Sequence, residues 1–121
     1  MHESSVIESI LKIVVDKVNN SQSVKIKKIS IIVGEDTGFM GDSLQFYFNR
    51  YSEGTIAKGA VLDMSFVKSK LRCPKCGIYF ERKRFEFNCP DCAEEGEPTK
   101  IGKECYIDSI EIEENISEKA Q

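Results

Sequence analysis

The chain has 121 residues, is 40% hydrophobic and 31% charged, and carries a formal net charge of −3. That length holds one domain, or one domain with a small insert, and no apolar run nears the roughly 20 residues of a membrane-spanning helix. The acidic balance argues against nucleic acid as the main partner, because duplex binding is dominated by phosphate neutralisation. The start, Met1-His2-Glu3-Ser4-Ser5, lacks the basic patch and apolar core of a secretory signal, so a cytoplasmic protein is expected.

Ser5-Val6-Ile7-Glu8 fits a capping box and starts a first helix at Ser4 or Ser5. Val6, Ile7, Ile10, Leu11, Val14 and Val18 then share one helical face, and Asn19-Asn20-Ser21 ends it. Residues 26–33 are β-branched and partly alternating, which predicts a strand with Ile29, Ile31 and Val33 on one side, stopped by Gly34. A loop over 35–41 leads to a second helix capped by Asp42 or Ser43. Its buried stripe is Leu44, Tyr47, Phe48 and Tyr51, a core pattern rather than a cofactor box, and Gly54 marks its stop. Residues 60–67 form a second strand, with Leu62, Met64 and Phe66 on one face. A third strand spans 104–112, where Tyr106, Ile110 and Ile112 have one parity, and 116–121 is a frayed polar tail.

Between the last two strands lie two matched pairs, Cys73-Pro-Lys-Cys76 and Cys89-Pro-Asp-Cys92, separated by twelve residues. A two-residue gap lets one tight turn aim both sulfurs at a common point, and two such turns make the tetrahedral four-sulfur shell that Zn2+ accepts. The spacer is a little shorter than the usual run of about 15 to 20. Four thiolates leave no open position for water, so the expected zinc is structural rather than catalytic. Four thiolates at −4 and one Zn2+ at +2 move the formal charge from −3 to −5. Disulfides do not suit a reducing compartment, and a redox dithiol would need one such pair at a strand–helix junction. Ile78, Phe80, Phe85 and Phe87 are expected to form a hairpin between the pairs that covers the metal. A module of this size cannot bury enough surface to fold alone, so the metal must supply much of its stability. Cys105 has no partner at ligand spacing and is read as a strand residue. Glu81-Arg82-Lys83-Arg84, the one basic cluster, is read as a solvated hairpin tip.

The expected fold is α+β, a small three-stranded mixed sheet with two helices plus an inserted four-cysteine, zinc-ribbon-like module. The α/β domain is assigned to 1–69 and 102–115, and the zinc-binding module to 70–101.

The single histidine is residue 2. An α-amine followed at once by His lets the Met1 amine, the His2 amide nitrogen and the His2 imidazole close fused chelate rings on one cation. Glu3 places an amide nitrogen and a carboxylate beside the fourth corner. Tetragonal nitrogen donation favours Ni2+ or Cu2+ over Zn2+. The amine and imidazole must lose their protons, with reference pKa values of about 7.7–8.0 and 6.5, so binding weakens below about pH 6.5.

Met1-His2-Glu3, Ile31-Ile32-Val33-Gly34, Asp42-Ser43-Leu44-Gln45-Phe46-Tyr47-Phe48, the run from Gly54 to Ala60, the two cysteine pairs, and Gly102-Lys103-Glu104 before Ile110-Glu111-Ile112 occur in an order that resembles the HypA/HybF family. The resemblance covers residues 1–114. It implies a nickel metallochaperone, not an enzyme, that works with a HypB-type GTPase to supply the large subunit of nickel-iron hydrogenase, and in some members urease. It implies transported Ni2+ at Met1, His2 and Glu3, and structural Zn2+ at Cys73, Cys76, Cys89 and Cys92. Some members add an acid before the second helix, for which Asp42 is nearest here, although an N-cap role suits it better. The alternatives are a zinc-ribbon module that binds protein or nucleic acid without nickel transfer, and a thiol redox protein. The protein is expected to be a monomer or homodimer.

Overall fold

A computed structural model describes residues 2–18, 24–82 and 86–114. The fold is α+β, with two helices, a small three-stranded mixed sheet and a second three-stranded antiparallel sheet. The elements run α1 (Glu3–Val18), β1 (Val24–Gly34), a 3-10 turn (Glu35–Thr37), α2 (Gly41–Tyr51), β2 (Val61–Val67), β3 (Lys70–Arg72), β4 (Tyr79–Glu81), β5 (Glu97–Pro98) and β6 (Cys105–Glu114). The chain divides into two compact units. One comprises Met1–Ile31, Phe39–Met64 and Ile107–Gln121; the other comprises Ile32–Gly38 and Ser65–Tyr106.

In the first unit, α1 buries Val6, Ile7, Ile10, Leu11 and Val14 as its spacing requires, while Val18 is half-buried. The helix starts earlier than the expected Ser4 or Ser5. It begins at Glu3, and the Val6 N–H donates to the His2 carbonyl at 3.1 Å, so Ser5 lies inside the first turn. Burying each apolar side chain is worth roughly 1.5–3 kcal/mol, against about 1 kcal/mol for a cap. The stripe therefore outweighs the capping residue in fixing the start. The expected ending at Asn19-Asn20-Ser21 falls outside the described residues.

A second correction concerns α2. Its N-cap is Met40, with no side-chain cap, and Asp42 lies in the first turn rather than at the cap. An acid there still faces the positive end of the helix dipole. Leu44 and Phe48 are buried, but Tyr47 is half-buried and Tyr51 exposed. Those two rings stack on each other at 5.8 Å.

The larger sheet has the order β2-β1-β6, and the central strand carries the core. Along β1 the burial alternation shifts by one residue between Ile26 and Ile29, so Val24 and Ile26 are buried as well as Ile29, Ile31 and Val33. The flanking strands expose more than their alternation suggests. Phe66 on β2, and Tyr106 and Ile112 on β6, are exposed, because these strands lie at the two edges of the sheet.

In the second unit β3 is central, in the order β4-β3-β5. Leu71 pairs with Phe80 on one side and with Pro98 on the other. The edge position of β5 tolerates a proline, which has no N–H to give the ladder. The tip of the hairpin expected between the cysteine pairs, residues 83–85, lies outside the described residues. The turn Cys73–Ile78 closes β3 onto β4, while Phe87 is exposed and Phe85 lies outside the described residues. Each cysteine pair is itself a tight turn that reverses the chain.

This unit also takes in chain on both sides of the 70–101 span. Gly34 donates to the Glu104 carbonyl at 2.6 Å, and Asp36 donates to the Gly102 carbonyl at 2.6 Å. A Cβ on Gly34 would run into the Gly102 carbonyl. Gly34→Ala should therefore cost about 2–3 kcal/mol. Gly38→Ala, at φ 73° with nothing nearby, should cost about 1 kcal/mol from its left-handed backbone alone. Urea midpoints of the two variants test that order.

Candidate metal centre

Both cysteine pairs are built on one template. In the first, the Cys73 N–H donates to the Ile78 carbonyl at 2.9 Å, and the Gly77 N–H donates back to the Cys73 carbonyl at 2.9 Å. In the second, the Cys89 N–H donates to the Glu94 carbonyl at 2.7 Å, and the Ala93 N–H donates to the Cys89 carbonyl at 2.9 Å. Pro74 and Pro90 follow the first cysteine of each pair, where a fixed φ suits a turn and no N–H is needed. The fifth position is left-handed in both, at Gly77 (φ 79°) and Ala93 (φ 61°). Glycine meets that requirement freely and alanine does not.

The four sulfurs lie within 4.8 Å of one another, and Cys76 Sγ and Cys89 Sγ are 3.7 Å apart. A tetrahedral ion with bonds of about 2.3 Å holds its sulfurs about 3.8 Å apart, whereas a disulfide holds them about 2.05 Å apart. The spacing fits a four-thiolate metal shell, and all five cysteines are free. Cys73 and Cys89 are buried, Cys92 is half-buried and Cys76 is exposed. Among the described residues this is the one group of three or more His, Cys, Asp or Glu side chains placed to hold a metal.

The thiols are unequal before metal arrives. The Cys76 N–H, 3.4 Å from the Cys73 sulfur, pulls the Cys73 thiol down to about 7. Its hydrogen-bonded neighbour Cys76, together with burial, pushes the Cys92 thiol up to about 12, and burial raises Cys89. A metal stabilises all four charges at once by replacing their protons. Burial also raises the Cys105 thiol, which suits a strand residue and not a reactive one.

The base of this unit involves residues the sequence does not single out. Ser69 is buried; its N–H donates to Glu35 at 2.8 Å and its hydroxyl to Asp36 at 2.7 Å. The Lys70 N–H donates to the Ile101 carbonyl at 3.3 Å, tying the incoming chain to the outgoing one. Glu35 and Asp36 lie 34 and 33 residues from Ser69, and no local pattern announces the contact. From the basic cluster, Arg82 pairs with Asp36 at 3.8 Å and sits 5.8 Å from the Phe87 ring centre. Lys83 and Arg84 lie outside the described residues.

Of the three N-terminal candidates, Met1 is outside the described residues, and His2 is exposed just ahead of α1. Glu3 opens the helix, and its carboxylate accepts the Met40 N–H at 2.7 Å. Asp42 is exposed in the first turn of α2.

The family described as "Hydrogenase/urease nickel incorporation, metallochaperone, hypA" matches residues 1–112. The hydrogenase maturation factor HypA of Caldanaerobacter subterraneus subsp. tengcongensis is 40% identical over 114 residues, covering 93% of this chain and 100% of the relative. HypA of Dehalococcoides mccartyi strain CBDB1 is 35% identical, covering 94% of this chain and 96% of the relative. The solution structure of the Ni metallochaperone HypA from Helicobacter pylori superposes with a TM-score of 0.61 at 25% identity, covering 92% of this chain and 97% of that one. A second HypA solution structure gives 0.69 at 25% identity, covering 93% and 97%.

A metal held by four thiolates must compete with their protons, so its retention falls with acidification. Affinity should drop more than tenfold per pH unit between about pH 7 and 5.5. Chelator competition measures this, and a slope of tenfold or less rejects a four-thiolate shell.

Proposed function

The chain belongs to the HypA family, whose members are nickel-incorporation metallochaperones of hydrogenase maturation, and we propose that it carries Ni2+ on its N-terminus and holds Zn2+ in its four-cysteine centre. The family match from residue 1 is the observation that carries this reading, because it includes the terminus where the chelating set lies. With Met1 as the first residue, its amine, the His2 amide nitrogen and the His2 imidazole take three corners of a square plane, and Glu3 stands next to them in sequence. The first N–H groups of a helix have no intrahelical acceptor, so the His2 and Glu3 nitrogens at the start of α1 are not claimed by the helix.

Chemistry divides the two sites. Four soft, charged sulfurs in a closed shell suit zinc held for the life of the fold. An exposed, pH-dependent terminal chelate suits cargo that must leave again, with affinity in the micromolar range, about −8 kcal/mol. The nickel end belongs to the α/β domain of 1–69 and 102–115, and the zinc to the module of 70–101. The receiving protein is the hydrogenase large subunit, reached with a HypB-type GTPase in the cytoplasm. The protein carries out no catalysis itself: the closed sulfur shell offers no open coordination position, and the sole imidazole belongs to the nickel chelate.

In calorimetry on untagged protein, His2→Ala should abolish nickel binding and leave zinc content and melting unchanged. Nickel retained by that variant refutes the terminal site. Cys76→Ser should lose stoichiometric zinc and lower the melting temperature, and a normal melting profile would count against a structural metal.

A further inference from the structure

The helix α2 starts without a cap of its own. Met40 occupies the N-cap position, where its side chain offers no oxygen, and no side chain of α2 caps it locally. In a capping box, an acid three residues into the helix receives the N-cap N–H; in α2 that position is Ser43. The acceptor comes instead from α1: Glu3 Oε2 takes the Met40 N–H at 2.7 Å across 37 residues of sequence. The negative charge also sits at the favourable end of the α2 dipole. On the other side of the same residue, the His2 carbonyl accepts the Val6 N–H. The backbone that carries the His2 imidazole is thus held both within its own helix and across to α2.

We propose that Glu3 is a positioning residue for nickel: its carboxylate stays on the Met40 N–H, rather than moving to the metal, and fixes the start of α1 against the start of α2. This rests on the terminal nickel site proposed above. Moving the carboxylate to the metal would break a charge-assisted hydrogen bond and leave the Met40 N–H without this acceptor. Holding the chelating backbone in place before metal arrives reduces the ordering that binding must accomplish.

Glu3→Gln keeps an oxygen acceptor and Glu3→Ala removes it, so the pair separates positioning from ligation. Both are made in untagged protein with a free Met1 amine and titrated with nickel alone. Glu3→Gln should bind within about twofold of the parent, and Glu3→Ala about three- to tenfold more weakly, the effect of one lost cap. Both should keep the square-planar absorption band. Square-planar Ni2+ is diamagnetic, so the Met40 amide can be followed by NMR in the parent, where it should keep its hydrogen-bonded shift when nickel is added. The inference falls if Glu3→Gln loses as much as Glu3→Ala, if Glu3→Ala loses nothing, or if nickel releases the Met40 amide. His2→Ala, run in parallel, separates the failures. Nickel retained there defeats the terminal site and this inference together, whereas nickel lost there with Glu3→Ala unchanged defeats the positioning role alone.

Discussion

Sulfur convergence is the constraint on which the second unit depends. Its strands are three, three and two residues long, shorter than ladders usually need to be stable. Two turns with the same backbone bonds bring four sulfurs to tetrahedral spacing. With those points fixed, three short strands are enough. Without a metal, four thiols of unequal acidity share a small volume, and the ionisation of one opposes that of the next.

Fixing the sulfurs alone would still leave the two connections of the ribbon loose. Glu35 and Asp36 meet this need by holding Ser69, while the Asp36 N–H holds Gly102. Gly34 and Gly102 are glycines because the backbones there leave no room for a Cβ. The unit is therefore bound at one end by sulfur and at the other by carboxylates, and these two sets of bonds answer to different chemistry. A chelator would act on the first alone, through any metal the sulfurs hold.

What could be read from the chain follows from how far apart the cooperating residues are. CxxC spacing encodes geometry within four residues, and the apolar stripe of α1 encodes its buried face within a few turns, so both were legible. The α2 stripe was half legible: Leu44 and Phe48 face the core, while Tyr47 and Tyr51 stack on each other instead. Helix starts were misjudged at both Ser5 and Asp42, because the acceptors in use are the His2 carbonyl and the Glu3 carboxylate. The Ser69 contacts, with partners more than thirty residues away, had no local signature at all.

These contacts share a form, and it bears on the acidity of the chain. Among the described residues a glutamate receives a backbone N–H in three places: Glu3 from Met40, Glu35 from Ser69 and Glu104 from Gly102. Each N–H belongs to a segment that turns or begins, where no regular ladder or helix supplies an acceptor. Bonds to a charged acceptor are worth about 1.5–3 kcal/mol when shielded, and less where water competes. Asp36 adds a fourth such role through the Ser69 hydroxyl. With Asp63, which accepts the Ser30 hydroxyl, at least five acidic side chains among the described residues thus act as internal acceptors. The net charge of −3 accordingly reflects in part how this backbone is held, and is not by itself the imprint of a basic partner.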